Sequence, residues 1–148
     1  MTLAARPRAA PAPPYLLDEQ VGFLMRQAQQ RHANIFAALM VEELTPTQWA
    51  ALAKLAELGP CSQNALGRHT AMDGATIKGV IDRLTARGFT VATPDPADGR
   101  RLVVALTPAG AAAFARGRPM AERITEATLE PLTAEQRAHF VALLRRLG

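Results

Sequence analysis

The chain has 148 residues, enough for one domain or one domain with an extension that pairs subunits. Apolar residues make up 49% and charged residues 20%, a globular rather than disordered balance. No apolar run approaches the ~20 residues of a membrane-spanning helix, and Cys61 stands alone, which excludes an internal disulfide framework and a cysteine-based zinc finger. The formal charge of +4 permits binding to nucleic acid without requiring it.

Residues 1–14 contain prolines at 7, 11, 13 and 14 and read as a flexible Pro/Ala-rich tail. The tail has Arg6 and Arg8 but no apolar segment before a cleavage site. A signal peptide is therefore not expected, and the protein is expected to be cytoplasmic. Residues 15–43 read as a helix, with Leu17, Val21, Leu24, Ala28, Ile35 and Leu39 at steps of three or four. His32 follows Ala28 by four and is expected on the same face. Thr45-Pro46-Thr47-Gln48 is a capping box that opens a second helix, and Gly59-Pro60 ends it.

Ser62 caps a short helix reaching about His69. After Thr70-Ala71-Met72, Asp73 caps a helix expected over 74–87, with Ile77, Val80, Ile81 and Leu84 as its buried stripe. Gly88 closes it by supplying left-handed backbone. The period then changes. Residues 89–93 and 101–106 are strand-like arms around Pro94-Asp95-Pro96-Ala97-Asp98-Gly99-Arg100, which reads as a hairpin. Thr107-Pro108 starts another helix, which Gly117 and Pro119 are expected to bend or split. Thr133-Ala134-Glu135-Gln136 is a second capping box, leading to a last helix with Phe140, Leu143, Leu144 and Leu147.

Two helices meeting at a three-residue break, followed at once by a charged hairpin, have the layout of a winged helix-turn-helix. The fold expected is mainly α with a small β-hairpin wing. A DNA-binding lobe is expected over 45–107, flanked by helical segments at 15–43 and 108–148. The second helix of such a pair fits the major groove. Gly74, Ala75, Thr76 and Lys78 lie at its exposed start, where small residues allow close approach and Thr76 and Lys78 can bond bases or phosphates. Arg83 is a candidate phosphate contact farther along. Ser62, Gln63 and Asn64 open the preceding helix, whose amides can hold a phosphate. In the hairpin, Asp98 can shape the loop, while Arg100 and Arg101 can reach the backbone or a narrow minor groove.

The stretch Thr76-Ile77-Lys78-Gly79-Val80-Ile81-Asp82-Arg83-Leu84-Thr85-Ala86-Arg87-Gly88-Phe89 resembles the recognition helix of the MarR family of bacterial transcription regulators. Asp95-Pro96-Ala97-Asp98-Gly99-Arg100 resembles that family's wing tip, and Val104-Ala105-Leu106-Thr107-Pro108-Ala109-Gly110 its second wing strand and following helix. The resemblance covers roughly residues 15–147. Gly79, Ala92 and Gly99 depart from it, standing where basic residues are usual. It implies a homodimeric repressor of a catabolic or efflux operon, with residues 15–43 and 108–148 as its helical dimerisation region, bound to double-stranded DNA with a palindromic operator. It also implies a small-molecule effector, commonly an aromatic carboxylate, held between dimer core and DNA-binding lobe.

The candidates for that effector site are Arg26, Arg31, His32, Trp49, His69 and Met72, cationic side chains beside an aromatic one. Each has a plainer role: His32 as a core or interface histidine, Trp49 as core, His69 as a solvent-facing group. Cys61 beside a helix start could act as a redox sensor. No phosphate loop, metal-ligand pair or nucleophile with a base is present, so neither an enzymatic activity nor a cofactor is expected. The rival reading is a winged helix that binds another protein. It is separable by salt, because contacts to phosphates weaken steeply as salt rises.

Overall fold

A computed structural model describes residues 10–148. Residues 1–9 of the expected tail lie outside the described residues, and 10–16 have no regular secondary structure. A 3-10 turn at Leu17–Glu19 precedes α1 (Val21–Leu39), α2 (Pro46–Leu58), β1 (Cys61–Ser62), α3 (Gln63–His69) and α4 (Gly74–Ala86). Then come β2 (Thr90–Pro94), β3 (Leu102–Leu106), α5 (Pro108–Leu129) and α6 (Ala134–Leu144).

The caps form where the sequence places them. Thr45 accepts from the Gln48 amide, and the Gln48 side chain takes the Thr45 amide at 3.1 Å. Thr133 and Gln136 repeat the arrangement. Gly88, at φ 76°, lets the chain leave α4 and enter β2.

Two expectations are corrected, and a third, the hairpin, is borne out and extended. The first helix does not run over 15–43. It begins at Val21 and stops at Leu39, because the chain turns through Met40–Glu43 to bury Leu44 in the lobe core. Gly117 and Pro119 do not split the fifth helix, which is continuous for 22 residues. Flanking packing holds it together. Gly117 is buried directly beneath Trp49, and Ile124 is buried one turn beyond the proline. The hairpin is also part of a three-stranded antiparallel sheet, order β1-β3-β2, with Cys61 opposite Val104 and Ser62 opposite Val103. A two-residue strand has no periodicity to read, so its partner alone defines it.

The core sits in the lobe. Leu52, Leu66, Ile77, Leu84 and Val104 are fully buried, with Leu44, Leu55, Val80 and Ile81 around them. Burying side chains of this size contributes about 1.5–3 kcal/mol each. The opposite end is unlike it. No residue of α6 is buried, and Phe140, Leu143, Leu144 and Leu147 are exposed, as are Val21, Leu24 and Met25 on α1.

Candidate nucleic-acid interface

The turn between α3 and α4 is tight because its residues allow it. Ala71 takes left-handed backbone at φ 54°, and the Met72 amide returns to the Gly67 carbonyl at 2.9 Å. Gly67 itself is buried. A Cβ there would lie 3.1 Å from the Met72 carbonyl oxygen and 3.2 Å from Ile77, so glycine lets the two helices close. Asp73 then caps α4 by accepting from the Thr76 amide at 2.7 Å. That bond holds the Asp73 carboxyl below the usual carboxylate range.

Ile77, Val80, Ile81 and Leu84 anchor α4 to the core, which leaves Gly74, Ala75, Thr76, Lys78 and Arg83 exposed. Lys78 pairs with Asp82 at 2.7 Å across one helical turn. Such an exposed pair is worth only about 0.3–0.5 kcal/mol, so Lys78 is free to exchange it for a phosphate. On α3, Asn64 is exposed and Gln63 half-buried, while the Ser62 hydroxyl is engaged in capping, accepting from the Ala65 amide at 3.2 Å.

The wing tip is built by its aspartates. Asp95 accepts from the Ala97 amide at 2.9 Å, and Asp98 accepts from the Arg100 amide at 3.1 Å. The Asp95 amide donates to the Arg101 carbonyl at 2.8 Å and closes the loop. Asp98 thus acts on the loop itself. Arg100 projects with 96% of its side chain exposed, and Arg101 is exposed beside it. All of the sequence-derived DNA candidates lie in this one lobe.

The effector candidates scatter. His32 bonds Thr128 through Nδ1 at 2.9 Å and lines an apolar cleft of about 580 Å³ between α1, α5 and α6. Val21, Leu24, Ala28, Thr125, Leu129 and Phe140 line it with them. Arg31 is next to that cleft but donates to the Ala127 and Thr128 carbonyls at the end of α5. Arg26 lies over Phe23 at 6.0 Å. Trp49 is elsewhere, stacked on Phe114 at 5.2 Å. Met72 packs against the lobe core, and His69 is exposed on the last turn of α3. Thr125 and Thr128 carried no signal in the sequence, because the His32–Thr128 bond joins residues 96 apart. Cys61 is half-buried in β1, and burial pushes its thiol up, the reverse of what a reactive thiolate needs.

A family model described as MarR family matches residues 43–101, the span from the end of the α1–α2 loop through the wing tip. The transcriptional repressor NicR of Pseudomonas putida is 40% identical over 99% of this chain and 95% of its own length. The chain belongs to the MarR family. Among MarR-like structures, BpsR of Bordetella bronchiseptica superposes with a TM-score of 0.88 at 42% identity, covering 91% of this chain and 97% of BpsR. Its DNA binding is regulated by 6-hydroxynicotinic acid. A probable transcriptional regulator from Pseudomonas aeruginosa superposes at 0.89 with 52% identity, over 90% of this chain and all of that one. The fold is the winged helix-turn-helix of these transcription regulators, whose role is regulatory rather than enzymatic. Among the described residues, no helix is long and apolar enough to cross a membrane.

Proposed function

We propose that this chain is a homodimeric repressor that holds a palindromic operator and releases it on binding a small aromatic carboxylate of the hydroxypyridine or phenol class. The observation that carries the DNA half is the lobe itself. Gly74, Ala75, Thr76 and Lys78 stand exposed at the start of a rigidly anchored helix, and Arg100 projects from a wing tip shaped by two aspartates. Thr76 and Lys78 read bases or grip phosphates in the major groove. Arg100 enters the adjacent minor groove or meets its phosphates. Asn64 and the α3 amides hold the backbone.

Dimerisation is supported by α6, a helix with apolar side chains and none of them buried in a single chain. A second copy would cover that face and set the spacing of the two recognition helices at about one turn of DNA. The effector reading rests on the regulation of BpsR by 6-hydroxynicotinic acid and on the His32 cleft. His32 keeps Nε2 for an acidic ligand while Nδ1 engages Thr128. Release then follows from differential affinity. A ligand that favours another helix spacing weakens DNA binding by that preference and by no more.

The test is selection from a random duplex pool at about 150 mM salt, then titration of the selected duplex with 6-hydroxynicotinate. A two-fold symmetric motif with half-sites about ten base pairs apart, released by the acid, is the expected outcome. Enrichment of no motif by refolded, ligand-stripped protein would refute the operator reading. Retention of the motif at saturating acid would refute the effector class.

A further inference from the structure

The loop joining α1 to α2 carries backbone that its residues disfavour. Glu42 and Glu43 are adjacent, with φ of 58° and 53°, in the left-handed region that side chains seldom enter. Such backbone persists where its surroundings over-determine it. Here they do so from two sides. The Glu42 carboxylate is gripped by Arg116 of α5 through both Nε, at 2.8 Å, and Nη2. The Glu42 backbone carbonyl accepts from Nη2 of Arg87 at 2.5 Å. Arg87 is the residue that caps the C-terminal end of α4, and its guanidinium lies 4.7 Å from the centre of the Phe89 ring.

One strained residue therefore bridges the end of the recognition helix to the long helix behind it. Oε2 of Glu42 is buried and has no hydrogen-bond partner among the described residues. A carboxylate half out of water is screened less, so its attraction to Arg116 is stronger than that of a surface pair. Two residues farther on, Leu44 is buried in the lobe core, which fixes the other end of the loop.

We propose that Glu42, with Arg87 and Arg116, forms a clasp that positions the recognition helix relative to α5 and so sets operator discrimination. This rests on the DNA reading above. Glu42 is a positioning residue that acts on α4 through Arg87. Opening the clasp frees the loop to leave its left-handed conformation and lets the end of α4 shift. Base reading depends on that placement; contacts to phosphates tolerate the shift far better.

The discriminating quantity is the ratio of dissociation constants for a random duplex and for the selected operator, read by fluorescence anisotropy on the full-length protein. Glu42→Gln keeps the size and removes the charge; Arg87→Met removes the donor and keeps a stem on Phe89. Each variant is expected to lower the ratio about tenfold, roughly 1.4 kcal/mol of discrimination, mostly through weaker operator binding. General destabilisation lowers the active fraction and weakens both affinities alike, so the ratio stays at its wild-type value. A ratio within about twofold of wild type in both variants overturns the clasp. If Glu42→Gln does not fold, Arg87→Met decides alone. Wild-type protein that shows no preference for any duplex refutes the DNA reading itself, and the clasp's role falls with it.

Discussion

Gly110 offers a substitution on which local and tertiary effects disagree in sign. It lies in the first turn of α5, where alanine is the better helix former by about 1 kcal/mol. Local propensity therefore predicts that Gly110→Ala stabilises. The tertiary structure predicts the reverse. A Cβ at Gly110 would overlap the Phe89 carbonyl oxygen and sit 2.9 Å from that carbonyl carbon and 3.2 Å from its Cα. These are backbone atoms at the root of the wing and cannot rotate away. Relief requires α5 and the Phe89 backbone to separate, and overpacking of this kind costs typically 1–3 kcal/mol. The same movement stretches the 3.1 Å bond from the Thr107 amide to the Phe89 carbonyl, worth about 1 kcal/mol. Setting the propensity gain against both losses leaves a net destabilisation of about 2 kcal/mol. For a chain of this size the melting temperature should fall by roughly 4–8 °C. The assay is thermal unfolding of both proteins at one concentration, since assembly shifts the transition by mass action. A variant that melts at or above the wild-type temperature would refute the close approach of α5 to the wing root.

Arg100→Ala should weaken binding to operator and random duplexes alike and reduce the salt slope by about 0.9 if one phosphate contact is lost; an unchanged slope and affinity removes the wing tip from the interface. Asp73→Asn keeps an oxygen for the Thr76 amide but cannot titrate. Because the folded Asp73 carboxyl lies below its ordinary value of about 3.9, its contribution is present above that value and lost as pH falls through the lowered one. The stability difference between wild type and Asp73→Asn in urea should therefore shrink as pH drops below about 4, and parallel pH profiles would contradict the cap. His32→Ala should weaken the response to 6-hydroxynicotinate several-fold while operator affinity without the acid stays within about twofold; an unaltered response excludes His32 from the effector site.

Most of the lobe is legible in the sequence. The caps at Thr45, Ser62, Asp73, Thr107 and Thr133 are interactions over three residues, and all five accept the bond expected of them. The stripe of Ile77, Val80, Ile81 and Leu84 repeats at helical spacing, so its burial follows from local pattern. The exposed set on α4 is the complement of that stripe, which is why the DNA candidates there could be named from sequence.

What pattern could not reach depends on atoms distant along the chain. Pro119 reads as a helix breaker, yet α5 continues through it because packing on either side outweighs the lost bond. Arg31 reads as a ligand-binding cation, but its donors meet carbonyls 96 and 97 residues away. Trp49 and His32 both read as aromatic groups near a pocket, and only the folding of α5 across α1 and α2 sends them to different places. Glu42, Arg87 and Arg116 form no motif at all; 45 and 74 residues separate Glu42 from its two partners. Local hydrogen bonds and hydrophobic period thus determine where α2 to α6 begin and which face of α4 is buried. Which polar side chains meet is decided by packing between elements, because that choice depends on helix crossings that no short window of residues encodes.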